Sequence, residues 1–238
     1  VRWLEEGRID MGMVSVAAVI GNPEWSIAGR SMIGTSGPVG SVFALGGRRI
    51  ENWRLLYPDS HSRTSNVLAQ VLLRKRFDVE NLTLGEPIPE EGWQPPDVAR
   101  PDEGFVLIGS RALRWRNHWN GEGPGRVFDL GHLWTQWTGL PFVFAVWAVR
   151  PGVDLGDWPE RLESIKNSNM QHLPKISTAW SDLEHDRLNT TEAIDYLGRN
   201  LDFNLDESAR QGLERFYKEG RDLGLFADGW ETRFYDQP

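Results

Sequence analysis

Apolar positions along this chain fall into short continuous runs separated by stripes with helical spacing. Arg2 to Glu6 reads as the last turns of a helix, with Gly7 as its C-terminal stop. Ile9 to Val16 predicts a short strand ending at Ser15, and Asn22-Pro23 marks a turn. Ser41 to Leu45, entered through "GTSGPVG" and broken by Gly46-Gly47, predicts a second strand, and Leu55 to Tyr57 a third. The loop "PDSHSRTS" opens the helix "NVLAQVLLRKRF", in which Val67, Leu68, Val71 and Leu72 share one face. Ser62 or Thr64 is placed to cap that helix, and Arg74, Lys75 and Arg76 suit its negative C-terminal end. Residues 81–102, rich in Pro, Glu and Gly, read as loop with one short strand. "FVLIGSRALRW" then repeats the pattern of strand, Gly109, cap Ser110 and helix. "NGEGPG" reads as a flexible surface loop, "VFDLG" as a short strand and "HLWTQW" as one or two helical turns.

Leu140 to Val149 carries no polar side chain. The run is too short for a membrane helix, which needs about 20 residues. Pro141 is tolerated at the beginning of a strand, where no ladder donor is lost. Both faces of Phe142 to Val149 are apolar, as in a parallel strand covered on both sides. From Asp157 onward the pattern is helical. Asp157 caps one helix with Pro159 in its first turn, Asn189 or Thr190 caps another, and Asp206 caps a third. In that third helix Leu213, Phe216 and Tyr217 lie on one face.

Strands alternating with helices predict an α/β fold with largely parallel sheets, and ligand sites at the carboxyl ends of strands. The chain leaves a first lobe through "SVFAL" and returns through "PFVFAVWAV". The expected organisation is residues 1–45 as the first part of lobe 1, 46–140 as lobe 2, and 141–238 as the return to lobe 1. The 238 residues allow two lobes and a core that buries about 70% of the unfolded surface.

Composition narrows the chemistry. The absence of cysteine excludes disulfides, thiolate nucleophiles and Cys-ligated zinc. A net charge of −8, with no basic run longer than Arg74–Arg76, argues against nucleic acid. None of the five histidines has HExxH or comparable spacing, and no GxSxG, Walker loop or GxGxxG after a strand occurs. Twelve tryptophans serve either core packing or an aromatic-lined pocket.

Two loops carry candidate chemistry. In "DSHSRTS" a strand ends and a helix begins, so free backbone N–H groups and the helix dipole point at whatever lies there. Ser62, Thr64 and Ser65 add hydroxyl donors and Arg63 a charge, although ordinary capping explains the same residues. "GTSGPVGS" is either a simple turn or a place where backbone approaches a ligand closely, with Ser41 as a hydroxyl donor.

"SGPVGSV", "SRTS", "LIGSRAL", "DLGHLWTQWTGLPFVFAVWA" and "GLERFYKEGRDLGL" occur in that order between Gly7 and Leu225. Together they resemble the menaquinone-biosynthesis family of the futalosine pathway, and specifically its chorismate dehydratases. The resemblance implies a two-lobed fold like the type II periplasmic binding proteins, with two hinge strands and a ligand in the cleft. It further implies a cytoplasmic lyase with no metal or organic cofactor; charge and segment length separately lead to the expectation of neither nucleic acid nor membrane as partner. The reaction implied removes water from chorismate to give 3-[(1-carboxyvinyl)oxy]benzoate. By position Ser41 matches a serine that the family places at the substrate, and Ser62, Arg63, Thr64 and Ser65 match its carboxylate-binding helix start. Ser15, Gly37, Thr138 and Gly139 complete the expected substrate-binding set, the last two falling where the chain returns from the second lobe.

The chemistry agrees with the residues. Chorismate carries two carboxylates, and aromatisation drives the loss of a ring proton and the neighbouring hydroxyl. The protein then needs mainly to position and to stabilise charge. A substrate carboxylate is expected to take the proton while Ser41 orients the reacting groups. Two departures stand out. The family's first strand–loop–helix, which ends in an asparagine motif used at the active site, is not represented ahead of Arg2–Glu6. Residues 1–238 alone are therefore expected to be inactive and poorly stable. Ser110 stands where the family has Asp, and both residues cap helices well. Competing readings are the pathway's 1,4-dihydroxy-6-naphthoate synthase, a non-catalytic aromatic-acid solute-binding protein, and a degenerate fragment.

Overall fold

A computed structural model describes residues 1–89, 91–116, 125–183 and 188–235. The loop expected at "NGEGPG" lies outside the described residues except for Gly125, as do His118 and His185. The chain opens with α1 (Arg2–Glu5), β1 (Met11–Ser15), α2 (Val16–Ile20) and β2 (Ser26–Thr35). It continues through β3 (Val42–Gly47), a 3-10 turn (Ile50–Asn52), β4 (Leu55–Tyr57) and α3 (Arg63–Val71), which ends in a π-turn (Leu72–Arg76). Next come β5 (Thr83–Leu84), β6 (Glu103–Ile108), α4 (Gly109–Trp115), β7 (Gly125–Asp129), α5 (Leu130–Thr138) and β8 (Phe142–Val149). The C-terminal part holds α6 (Trp158–Gln171), α7 (Leu173–Leu183), α8 (Thr190–Asp195), a π-turn (Tyr196–Asn200), β9 (Asp202–Asn204) and α9 (Glu207–Asp222).

Nine strands form two sheets among the described residues, ordered β1-β8-β2-β9 and β5-β4-β6-β3-β7. The expectation of largely parallel sheets is corrected. β8 runs antiparallel to β1 and β2, β9 antiparallel to β2, and β3 antiparallel to β6 and β7. Only β4 pairs in parallel, with β5 and β6. The cause is the double crossing of the chain. β1 and β2 share a direction, as do β6 and β7. The strand that enters each sheet from the other, β8 in one and β3 in the other, inserts between such a pair and runs backwards.

Sheet membership puts the first crossing at residues 36–41 and the second at 130–141. Val42–Leu45, expected in the first lobe, therefore lies in the five-stranded sheet. Gly46 and Gly47 do not break β3 but continue it, paired with Gly104, Arg126 and Gly125. The fully buried Trp53 requires glycine at 46 and 104. A Cβ on Gly46 would lie 2.4 Å from its ring, and one on Gly104 2.3 Å. Trp53 Nε1 donates to the Gly47 carbonyl at 3.0 Å.

The main core is continuous across both sheets. It joins Val14, Ile27, Met32 and Val146 of the first sheet to Ala44, Leu56 and Val106 of the second. Phe142 packs edge-on against Trp134, Phe144 and Phe216, with centroids 5.3, 4.7 and 5.0 Å away. Burying each such ring is worth about 1.5–3 kcal/mol.

Local signals fix several helix starts. Ser62 Oγ accepts the Ser65 N–H, Asp206 Oδ1 accepts the Ala209 N–H, and Asn189 forms a reciprocal capping box with Glu192. Two expected caps differ. The Asp157 carboxylate is held by Arg161 and makes no cap bond. Ser110 is the second residue of α4, whose N-cap position is Ile108, and Gly109 ahead of it takes a left-handed φ of 56°.

Candidate active site

Strand direction brings one edge of each sheet together. Along the five-stranded sheet, β6 and β7 end where β3 begins, with Val42 paired to Ile108 and Phe43 to Asp129. Parallel β4 ends at the same edge and feeds α3. In the four-stranded sheet, β1 and β2 end where β8 begins, with Ser15 opposite Ala145 and Thr35 opposite Phe142. The two edges meet directly, since the Ala17 N–H donates to Thr64 Oγ1 at 3.0 Å.

Ser41 sits at this edge, on the last residue of the first crossing, and is 4% exposed. Its carbonyl accepts the Gly109 N–H at 2.8 Å. Its Oγ lies 2.8 Å from the Tyr196 hydroxyl. Burial pushes the Tyr196 phenol above its ordinary pKa, outweighing the opposing bond to Ser41, so the phenol stays protonated.

Asp129 forms a collar for the crossing. Its Oδ1 accepts the Val39 N–H at 3.1 Å and the His132 N–H at 2.9 Å, and its Oδ2 accepts the Gly40 N–H at 2.8 Å. It thus caps α5 and fixes the turn ahead of Ser41 with one carboxylate. Burial raises its pKa, against the lowering effect of the three N–H donors. On the outer side, Asn200 Nδ2 donates to the Pro38 carbonyl at 2.9 Å and Thr35 Oγ1 to the Asn200 carbonyl at 2.8 Å.

The "SRTS" segment is built as expected for a cap. Ser62 takes the cap bond, while Thr64 and Ser65 are buried. Thr64 spends one lone pair on Ala17, and its proton remains available. Arg63 is exposed on the first helical residue and lines a cavity of about 320 Å³ with Ala17, Ile20, Val67, Phe226 and Asp228. The preceding loop is tied down by Asp59. Asp59 accepts the His61 and Ile108 N–H groups at 2.8 and 3.1 Å and pairs with Arg111 at 2.8 Å. Its negative charge is therefore matched before any ligand arrives.

The other expected residues divide. Ser15 ends β1 at the meeting edge, next to the α2 residues that touch Thr64. Gly37 lies on the same crossing as Ser41 and holds Thr35 Oγ1. Thr138 and Gly139 do not join this group. They close the far end of α5, nine and ten residues and about 14 Å along its axis from Asp129. There Thr138 Oγ1 donates to Trp134 O at 2.9 Å and accepts the Leu140 N–H at 3.1 Å, while Gly139 turns the chain with φ 71°.

Sequence reasoning missed Tyr196 and Asp129. Asp129 had a local signal, an acid directly ahead of the helical "LGHLW". Tyr196 had none, since it stands 155 residues from Ser41. Among the described residues no group of three His, Cys, Asp or Glu side chains is arranged to hold a metal, and no helix is long and apolar enough to cross a membrane.

The architecture is shared with solved structures at low sequence identity. Protein AF1704 from Archaeoglobus fulgidus matches with TM-score 0.65 and 14% identity, over 94% of this chain and 83% of its own. An ABC transporter protein from Parabacteroides distasonis matches with TM-score 0.57 and 13% identity, over 99% and 84%. The alkanesulfonate-binding protein SsuA from Xanthomonas axonopodis pv. citri, solved with MOPS bound, matches with TM-score 0.55 and 9% identity, over 95% and 80%. These likenesses show the fold, which is the two-lobed periplasmic-binding-protein-like α/β architecture. A family model described as menaquinone biosynthesis matches residues 1–222. With that match covering nearly the whole chain, the protein belongs to the menaquinone-biosynthesis family.

Proposed function

We propose that this member of an enzyme family of menaquinone biosynthesis is a chorismate dehydratase, converting chorismate to 3-[(1-carboxyvinyl)oxy]benzoate and water in the cytoplasm, without metal or organic cofactor. The observation that carries the reading is the buried Ser41 hydroxyl at the meeting edge of the two sheets, with its backbone held by Gly109 and the turn before it by Asp129. A ring proton and the neighbouring hydroxyl leave together as water, and the electrons of the broken C–H bond complete the aromatic ring. The substrate supplies both the driving force and, through a carboxylate, the acceptor for the proton. The protein supplies placement.

The nine-residue α3 gives a substrate carboxylate a helix N-terminus, with Arg63 as the nearby cation. Ser41 is then the fixed donor that orients the reacting groups. Ser15 and Gly37, at the same edge, supply close backbone. Thr138 and Gly139 act at one remove, by setting the turn into β8.

The test is incubation of the full natural gene product with chorismate, with products separated and identified by mass. Stoichiometric 3-[(1-carboxyvinyl)oxy]benzoate supports the reading. Chorismate that binds but is recovered unchanged would replace it with a solute-binding role. Turnover only of cyclised futalosine products would replace it with the naphthoate synthase of the same pathway.

A further inference from the structure

We propose that Tyr196 is a positioning residue for Ser41. Its phenol donates to Ser41 Oγ and so commits the serine's own proton to an acceptor oxygen of the ligand, a carboxylate or hydroxyl. The inference rests on the reading of the Ser41 edge as the substrate site. The two hydroxyl oxygens are 2.8 Å apart, and either has a proton to give. Acidity decides between them. A phenol, with an ordinary pKa near 10, is a far stronger donor than an aliphatic hydroxyl. Ser41 accepts, and its proton must then point elsewhere. An accepted hydrogen bond also polarises the serine and strengthens the one it donates.

The placement of Tyr196 depends on both lobes. α7, α8 and the π-turn follow β8 and belong in sequence to the lobe of the four-stranded sheet. They nevertheless dock on the other lobe. Leu188, Ala193, Trp180 and Tyr196 cluster with Leu113 of α4, and Glu192 pairs with Arg116 at the end of α4. The Trp180 ring lies 5.9 Å from the Tyr196 ring. Beyond the π-turn, Asn200 is tied to Pro38 and Thr35 on the first crossing. The phenol is thus held from α4, from α7 and from the crossing itself, and reaches Ser41 only where the two lobes meet. A tyrosine present for packing alone would be replaceable by phenylalanine without consequence, and this is the point of the test.

Tyr196→Phe keeps the ring and deletes the hydroxyl. Measured against Ser41→Ala and the double variant in the full natural protein, it is expected to lower kcat/KM for chorismate about five- to tenfold. In the Ser41→Ala background it should change kcat/KM by less than about twofold, because its only route to the ligand is gone. A Tyr196→Phe variant equal to wild type, or one whose loss multiplies in full with that of Ser41→Ala, would overturn the proposal. A second readout needs no turnover. The tyrosine Raman doublet reports whether a phenol donates or accepts, and the wild-type minus Tyr196→Phe difference isolates this ring from the other tyrosines. A donor signature that changes on Ser41→Ala is expected. An acceptor signature would refute the assignment even if chorismate proved not to be the substrate.

Discussion

Asp129 offers the sharpest stability test, because one side chain holds three backbone donors at the hinge. Asp129→Ala removes the α5 cap, which costs about 1 kcal/mol. It also strips the acceptors from the Val39 and Gly40 N–H groups, of which Val39 is 1% exposed. Each unmet buried donor costs about 1–3 kcal/mol. Against this, burial raises the Asp129 pKa, so removing the charge recovers some desolvation. The net loss is about 2–5 kcal/mol, or roughly 5–15 °C in Tm for a chain of this length. Asp129→Asn should fall between. Its single oxygen can serve Val39 and His132, but its NH2 then opposes the Gly40 N–H. Urea and thermal unfolding of the three proteins decide the matter. An alanine variant that loses less than about 1 kcal/mol, or an asparagine variant as damaged as alanine, would refute the collar.

Further outcomes follow from single contacts. Gly212 lies inside α9, where alanine would ordinarily gain about 1 kcal/mol, yet its Cβ would stand 2.0 Å from the Pro141 carbonyl. Gly212→Ala should therefore lose about 1–3 kcal/mol in urea unfolding, and a stabilised variant would contradict this packing. Glu163 accepts from Ser31 Oγ at 2.6 Å, the Arg30 N–H at 3.1 Å and Lys166 Nζ at 2.7 Å, tying α6 to β2. Burial alone would raise its pKa, but the Lys166 and Ser31 bonds and the Lys166 charge outweigh it and the pKa is lowered. The stability it contributes is present above the unfolded value near 4.3 and lost as pH falls through the folded value. The stability gap between wild type and Glu163→Gln should shrink as pH falls below about 4, and a constant gap from neutral pH to pH 3 would count against the assignment.

What could be read from sequence is what local rules govern. Ser62, Asn189 and Asp206 cap helices because their partners lie three residues away. Leu55–Tyr57 and Phe142–Val149 declared themselves by apolar runs bounded by turn residues. β2 escaped because Gly29, Arg30 and Ser31 interrupt its alternation where the pairing with β8 shifts register, between Ile27 and Met32. The directions of β3 and β8 were illegible for another reason. A run apolar on both faces looks the same whichever way its neighbours run, and only the double crossing sets the direction. Gly46-Gly47 looked like a stop because the need for them comes from residues outside the pair, Trp53 for Gly46 and the Pro101 backbone for Gly47. At the candidate site, "SRTS" and Ser41 stood out through their hydroxyls. Tyr196 did not, since nothing in "AIDYLGRN" reports a partner 155 residues away.

The most direct test of the account compares initial rates of chorismate loss for the wild-type natural protein and Ser41→Ala, with far-ultraviolet circular dichroism to confirm equal folding. If Ser41 is the fixed donor at the reacting centre, the variant keeps its fold and loses about 10²–10³ in rate, as other positioned donors do. A Ser41→Ala protein with wild-type rate and affinity would contradict the central claim.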